Sequence, residues 1–191
     1  NLREKEWLDV QPPFEEAHYL KGFGWRDGKF RFRPDWAKVP FSGRLSDRVA
    51  EMPGMPDHWD VIENATPEFP FRLATSPARN FLNTSFTETP TSVSKERGPT
   101  VMVHPEDAAQ HGIADGDWVT LRNERGEVRL RARVFDGLVR GVLIAESIWP
   151  DRHYPDGKGI NHLTGADSPP PFGGAAFHDN RVAIARWSGP A

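Results

Sequence analysis

The most regular alternation of apolar and polar residues along the chain lies in Glu127–Val134. Its apolar positions are Val128, Leu130, Ala132 and Val134, and the basic positions between them are Arg129, Arg131 and Arg133. Successive side chains of a strand point to opposite faces. This spacing therefore predicts a strand that turns one face to a core and a row of arginines to solvent.

The residues before this strand predict a strand, a short helix and another strand. The apolar run Thr100–Val103 leads to Pro105, a residue preorganised for the first position of a helix. The acidic residues that follow suit the positive end of the helix dipole. Gly112 supplies the left-handed residue that ends a helix, and a turn at Asp115-Gly116 leads into a strand over Trp118–Arg122.

Three further segments carry the pattern of short strands. These are Phe69–Thr75, Gly141–Ser147 and Asn180–Trp187. About six short strands, separated by turns and by one or two helical turns, are typical of a closed barrel. The sequence therefore predicts a mainly β fold for residues 69–191, with a long polar loop at Ser76–Arg97.

Residues 1–68 show no such pattern and are rich in aromatic residues and proline. A hairpin is expected over Trp25–Phe32, around Asp27-Gly28. A short helix is expected over Ser42–Glu51 and a linker over Met52–Pro56. We therefore expect an irregular N-terminal extension that packs on neighbouring domains.

Composition and charge narrow the possible functions. The net charge is −3, so the arginine face is better explained by solvent exposure than by nucleic-acid binding. No apolar run reaches the roughly 18 residues that a membrane span needs. The chain has no cysteine, which excludes thiolate zinc sites and cysteine-ligated iron–sulfur clusters within it. The histidines lack zinc-type spacing, and no nucleophile or phosphate-loop motif is present.

The start of the chain bears on its origin. It begins with Asn1 rather than methionine and shows no signal peptide. We therefore expect a piece of a longer protein. The sequence does not fix the location of that protein, and the cytoplasm is only slightly favoured.

Two polar segments could carry chemistry. Thr75–Ser85 combines hydroxyls, amides and one arginine, which suits a phosphate or a polar heterocycle. A surface loop with local side-chain-to-backbone bonds would have the same composition. Asn161, in a glycine- and proline-rich region, could offer both donors and an acceptor to a heterocycle, or could simply form a turn.

Several stretches together carry a family resemblance. They are Phe71–Thr75 with the loop after it, Val103–Val119, Gly126–Val128, Asn161–Thr164 and Phe177–Ala183. In order and spacing they resemble the C-terminal dinucleotide-binding domain of the molybdopterin oxidoreductases. This superfamily includes dimethyl sulfoxide reductase, nitrate reductases and molybdenum- or tungsten-dependent formate dehydrogenases.

The resemblance implies a six-stranded double-psi β-barrel with short helices. It also implies binding of molybdopterin guanine dinucleotide, in the bis-MGD form with molybdenum or tungsten. The cofactor-binding positions carried over are Thr75, Ser76, Pro77, Ala78, Arg79, Asn80, Phe81, Leu82, Asn83, Thr84, Trp149, Asn161 and His178. Pro77 removes one amide donor and the arginine of the loop is displaced to Arg79. His178 stands where the family often has lysine.

The resemblance also sets the expected partners. The family's metal ligand and iron–sulfur cysteines lie in earlier domains, so this chain should contain no catalytic or metal-binding residue and should be inactive alone. The remaining domains of the same oxidoreductase, and an electron-transfer subunit, are the partners implied. The alternative is a double-psi barrel that binds proteins without a cofactor, as in the substrate-recruiting barrels of hexameric ATPases.

Overall fold

The computed structural model of the chain describes residues 2–33, 35–36, 52–55, 62–166 and 177–189. The chain divides into two compact units, Asn1–His58 and Trp59–Ala191. The helix expected over Ser42–Glu51 lies outside the described residues, as does Pro56 at the end of the expected linker. The proposed division of the chain after residue 68 stays a prediction.

The described residues of the first unit include two single-turn helices, α1 (Leu2–Lys5) and α2 (Phe14–Ala17). A turn forms over residues 25–28, with Arg26 and Asp27 at its centre, and the Gly28 N–H donates to the Trp25 carbonyl at 2.8 Å. The Asp27 carboxylate accepts from the Lys29 N–H at 3.1 Å, which satisfies the backbone locally. In the described part of this unit the turn is flanked by coil and no strand is present.

In the second unit the described residues form six strands, two short α-helices and two 3₁₀ helices. In chain order they are β1 (Phe71–Ser76), α3 (Pro90–Glu96), β2 (Thr100–Val103), α4 (Pro105–Gln110), β3 (Trp118–Asn123), β4 (Gly126–Val134), β5 (Val142–Glu146), the 3₁₀ helices Asp151–His153 and Ile160–Leu163, and β6 (Asn180–Arg186). The strands close into a barrel in the order β1-β5-β2-β4-β3-β6. The predicted mainly β, six-stranded barrel is confirmed.

The strand pairing has an internal two-fold pattern. β5 lies between β1 and β2, parallel to β1 and antiparallel to β2. In the same way β2 lies between β4 and β5, parallel to β4. Exchanging β1–β3 for β4–β6 reproduces every pairing of the barrel. Two interlocked strand–loop–strand units of this kind form a double-psi β-barrel, as the resemblance implies.

The core follows from the alternation along the strands. The largest side chains with almost no exposure are Leu73, Leu121, Leu130, Leu143, Ile160, Leu163 and the valines 101, 103, 119, 128 and 182. Burial of one such side chain contributes about 1.5–3 kcal/mol. This interior fixes strand register, because a shift of a strand by one residue would turn its buried side chains to solvent.

The arginine face of β4 points outward, as predicted, and each arginine lies over an aromatic ring. Arg129 lies 4.8 Å from the ring centroid of Trp187 and Arg131 lies 4.1 Å from that of Trp118. Such cation–π contacts contribute about 0.5–1 kcal/mol at exposed sites. The arginines therefore cover the outer aromatic residues of the barrel.

Strand directions separate the connections into two groups. We call the end that carries 77–99, 124–125 and 147–179 the loop end. The opposite end carries 104–117, which contains α4, and 135–141, and we call it the helix end. All five assignments follow from the parallel pairs β1/β5 and β2/β4 and the antiparallel pairs around them.

Both short α-helices of this unit begin at a proline. In α4 the His104 ring accepts from the Glu106 N–H at 3.2 Å and Pro105 occupies the first position, as the sequence predicts. α3 also begins at a proline, Pro90, but has no side-chain cap and lies inside the segment expected to be a loop, Ser76–Arg97. Partly buried Val93 packs on the core and fixes this helix against the barrel.

Candidate functional site

Two of the predicted cofactor-binding residues meet at the loop end of the barrel. Thr75, near the end of β1, has its hydroxyl 3.3 Å from Nδ1 of His178, which lies just before β6. Asp179, the next residue, forms an ion pair with Arg72 at 3.2 Å. The antiparallel pairing of β1 with β6 therefore brings the polar loop and the start of the last strand together.

Polar and apolar side chains are both accessible on the surface of this loop. Its exposed members are Pro77, Arg79, Leu82, Asn83 and Thr84, and Ser76 is half-buried. Among the residues that the structure describes, the Arg79 guanidinium has no ion-pair or hydrogen-bond partner. A guanidinium in this position is free to meet an anionic group of a ligand.

Asn80 plays a structural part in this conformation. Its backbone N–H and its side-chain amide both donate to Oε1 of Glu96, each at 2.7 Å. The loop is thereby tied to the last turn of α3. Sequence reasoning missed Glu96, because the helix that carries it lay inside an expected loop.

Three of the predicted contact residues lie in the hydrophobic core. Ala78 and Phe81 are 5% exposed and Trp149 is 3% exposed. The Phe81 and Trp149 rings meet edge to face, with centroids 4.7 Å apart. In this structure these side chains support the loop from the interior, and a contact between them and a ligand stays a prediction.

Ser147, which the sequence did not single out, holds the loop from the end of β5. Its N–H donates to the Ser76 carbonyl and its hydroxyl donates to the Asn83 carbonyl, both at 2.7 Å. It does so with a φ of 66°, a conformation rare for a residue with a side chain. The 3% exposure of Ser147 shows that this bond is shielded from water.

Asn161 lies on the 3₁₀ helix Ile160–Leu163, with its side chain exposed. The Asp151 carboxylate accepts from the Gly159 N–H at 2.9 Å and fixes the start of this helix. Tyr154 packs beneath it, and burial raises the pKa of its phenol to about 12. The helix therefore presents Asn161 from a supported backbone.

The loop end collects all thirteen predicted positions, but only some of them touch. Thr75 meets His178, and Phe81 meets Trp149. Among the described residues, no hydrogen bond joins Asn161 to Thr75–Thr84. The described part of the chain also contains no group of three or more His, Asp or Glu side chains that could hold a metal ion, and no helix long and apolar enough to cross a membrane.

This arrangement can bind a ligand that carries both negative charge and heterocyclic edges. Arg79 offers a cation, Thr75 and Thr84 offer hydroxyls, and Asn161 offers an amide with donors and an acceptor. These side chains support binding of such a ligand.

Comparison with known proteins agrees with the resemblance read from the sequence. Residues 71–181 match the family described as "Molydopterin dinucleotide binding domain". The chain belongs to this family. The match spans the barrel from the first residue of β1 to the second residue of β6, so the molydopterin dinucleotide binding domain includes both long connections of the loop end.

Relatives of this domain are found in larger oxidoreductases. The chain is 37% identical over 168 residues to the trimethylamine-N-oxide reductase of Haemophilus influenzae, covering 79% of this chain and 20% of that protein. It is 32% identical over 136 residues to the Bacillus subtilis protein named "Probable oxidoreductase YoaE", covering 69% of this chain and 19% of that protein. The chain thus spans about a fifth of the length of these relatives.

A solved structure shows the same fold. The acetylene hydratase of Pelobacter acetylenicus superposes with a TM-score of 0.53 at 13% sequence identity, over 63% of this chain and 19% of that one. At this identity the likeness shows the fold alone.

Proposed function

We propose that the chain binds the molybdopterin guanine dinucleotide cofactor as the C-terminal domain of a molybdenum- or tungsten-dependent oxidoreductase. The observation that supports the proposal is that all the predicted contact positions lie at the loop end of the barrel. Membership of the dinucleotide-binding family supports it. So does similarity to a trimethylamine-N-oxide reductase.

The side chains of the loop end fit the chemical groups of such a cofactor. Arg79 is exposed and free to pair with a phosphate, and bidentate guanidinium–phosphate contacts are strong. The exposed Asn161 amide can both donate to and accept from a pterin or purine edge. When bound, the cofactor supplies the metal at which electrons pass to or from the substrate.

The residues of this chain bind the cofactor and orient it. Arg79 holds a phosphate, and Asn161 holds a heterocyclic edge. The contact between Thr75 and His178 sets the spacing between the loop and the last strand. We assign no catalytic residue to the chain and propose that it is inactive alone. The other domains of the oxidoreductase, and an electron-transfer subunit, complete the enzyme.

The test uses the full-length oxidoreductase that contains this chain. Metal analysis and extraction of guanine dinucleotide should find molybdenum or tungsten with pterin in the purified protein. Asn161→Ala and Arg79→Gln should each lower the cofactor retained after gel filtration by about tenfold, in line with the effect of losing a charge-assisted or buried hydrogen bond. Glu127→Gln, an exposed position on β4, is the matched control and should retain the full amount.

Two results would contradict the proposal. A well-folded parent protein without metal or pterin would reject the oxidoreductase function and favour a barrel that binds proteins. Full retention in both Asn161→Ala and Arg79→Gln would reject the assigned contacts. The isolated chain, measured beside the parent, should hold little cofactor, because the other domains are missing.

A further inference from the structure

The turn between β3 and β4 contacts the 3₁₀ helix that carries Asn161. Leu163, the last residue of that helix, is fully buried. Its carbonyl accepts two hydrogen bonds from the turn, one from Nδ2 of Asn123 at 2.8 Å and one from Nε of Arg125 at 3.0 Å. A Cβ added to Gly126 would lie 3.4 Å from the His162 carbonyl, so the two backbones are in contact.

Both ends of the Asn123 amide are in use. While Nδ2 donates to Leu163, Oδ1 accepts from the Arg125 N–H at 3.0 Å. Asn123 is 7% exposed, so loss of either partner would leave a buried polar group unsatisfied. The amide therefore fixes the shape of the β3–β4 turn and its distance from the Asn161 helix at the same time.

Arg125 is held in place by a carboxylate from the segment before β1. Its Nη2 lies 2.5 Å from Oε1 of Glu63, and these side chains are only 25% and 23% exposed. The other oxygen of Glu63 accepts from the Arg181 N–H at 2.9 Å, at the start of β6. Glu63 thus connects Arg125 to the strand that His178 precedes.

The ring of charges closes through Glu124. Nη2 of Arg181 lies 2.9 Å from Oε1 of Glu124, the neighbour of Arg125 in the turn. The resulting network links two positions of the loop end that are distant in sequence. One arm ends two residues after Asn161 and the other ends three residues after His178. None of the charged members belongs to the predicted cofactor contacts.

We propose that Asn123 and Arg125 are positioning residues for the cofactor: they hold the Asn161 helix so that the Asn161 amide meets the dinucleotide. This inference rests on the cofactor-binding function proposed above. Neither side chain needs to touch the ligand, because both act through the Leu163 carbonyl. Residues that orient a ligand-binding group in this way often change affinity by 10- to 100-fold when they are replaced.

The first test is Asn123→Asp in the full-length, cofactor-loaded oxidoreductase. The carboxylate keeps an acceptor for the Arg125 N–H but replaces the donor to Leu163 with a second acceptor. We expect the cofactor to dissociate about tenfold faster. Amide hydrogen exchange in the peptide covering 159–166 should rise about tenfold as the helix loosens. Arg122→Gln, an exposed change on the same strand end, should alter neither quantity.

A double-mutant cycle shows whether Asn123 acts through Asn161. If it does, Asn161→Ala adds less than about twofold to the dissociation rate in the Asn123→Asp background, although it has a large effect in the unchanged protein. Fully additive effects would overturn the positioning role. So would an unchanged exchange rate in Asn123→Asp.

The cycle also separates this inference from the proposed function. An unchanged dissociation rate in Asn161→Ala alone contradicts the proposed cofactor contact. A raised rate in Asn161→Ala together with an unchanged rate in Asn123→Asp contradicts only the positioning role. Should Asn123→Asp fail to fold, Arg125→Lys replaces it, because lysine keeps the charge beside Glu63 but lacks the Nε donor to Leu163; the same two readouts then apply.

Discussion

The two ends of the barrel are built from the same strands but are held together differently. At the helix end one buried carboxylate joins the two connections. At the loop end two connections are long and the third is the 124–125 turn. Backbone carbonyls at Ser76, Asn83 and Leu163 accept bonds there from Ser147, Asn123 and Arg125. The helix end thus relies on one buried charge, whereas the loop end relies on side chains that bind backbone carbonyls and has exposed polar groups beside them.

Asp107 is the carboxylate that holds the helix end. It lies in the first turn of α4, its side chain is 6% exposed, and Oδ2 accepts from the Gly141 N–H at 2.7 Å. Oδ1 accepts from Nε of Arg140 at 3.0 Å. These bonds join the β2–β3 connection to the β4–β5 connection. No predicted cofactor contact lies nearby in the fold.

The largest expected effect is therefore at Asp107. Asp107→Asn removes the charge that Arg140 and the Gly141 N–H both bind, and should lower the free energy of unfolding by about 2 kcal/mol. Urea denaturation of the chain measures this. Glu106→Gln is the matched control, because Glu106 binds the same arginine at 2.9 Å but is 66% exposed. It should cost less than about 0.5 kcal/mol. Equal losses of stability in the two variants would show that burial of Asp107 does not make it the more important partner of Arg140.

The same carboxylate gives the prediction a pH dependence. Burial by itself raises the pKa of Asp107, but the Gly141 N–H and Arg140 outweigh it, so the pKa lies below its ordinary value of 3.8. A carboxyl with a lowered pKa stabilises the folded state above its unfolded pKa, and this contribution is lost as the pH falls through the folded value. The difference in free energy of unfolding between the unchanged chain and Asp107→Asn should have its full value at neutral pH and should decrease below about pH 3.8.

A smaller effect is expected at the loop end, at Ser147. Ser147→Ala removes the bond to the Asn83 carbonyl and should cost about 1 kcal/mol. Ser147→Gly removes the same bond but relaxes the backbone at a φ of 66°, so it should be more stable than the alanine variant by about 0.5–1 kcal/mol. The urea midpoints of the two variants measure which is more stable. A glycine variant less stable than the alanine variant would show that the backbone at this φ is not strained. Ser85→Ala, an exposed change in the same loop, is the control.

The smallest effect is expected for the ion pair that joins the two long connections on the surface. Arg152 Nη2 contacts Oε1 of Glu88, with side chains 56% and 75% exposed. A double-mutant cycle with Arg152→Ala and Glu88→Ala should give a coupling below about 0.5 kcal/mol. High salt should reduce it further. A coupling above about 1 kcal/mol would mean that the loop end is braced as firmly as the helix end.

Local sequence rules were sufficient for the strands and for the start of α4. Period-two alternation identified β4, and proline followed by acidic residues identified the first turn of α4. The same rules missed α3, although Pro90 marks its first position, because its surroundings are dominated by polar residues that also occur in loops. Partial burial of Val93 against the barrel stabilises this helix, and such burial depends on tertiary packing that local sequence does not reveal.

The candidate site was predicted less completely than the fold. The resemblance supplied the predicted contact positions, and all of them lie at one end of the barrel. It did not supply the supporting residues, because their bonds join distant parts of the chain: Ser147 reaches back 64 residues to Asn83, and Glu63 reaches forward 118 residues to Arg181. Neither bond has a local sequence pattern. Such residues emerge only from the closed barrel.

The two-fold pairing pattern has a consequence for how the barrel forms. Every strand of the first half, β1 to β3, pairs only with strands of the second half, β4 to β6. Apart from the β3–β4 hairpin, each pairing joins strands that are far apart in the sequence. The entropy of closing these long loops is lost before the contacts form, which makes folding slow. A chain cut at 124–125 would yield two fragments, neither of which has a strand pair of its own. Because each half supplies all the strand partners of the other, the barrel folds and unfolds as one unit.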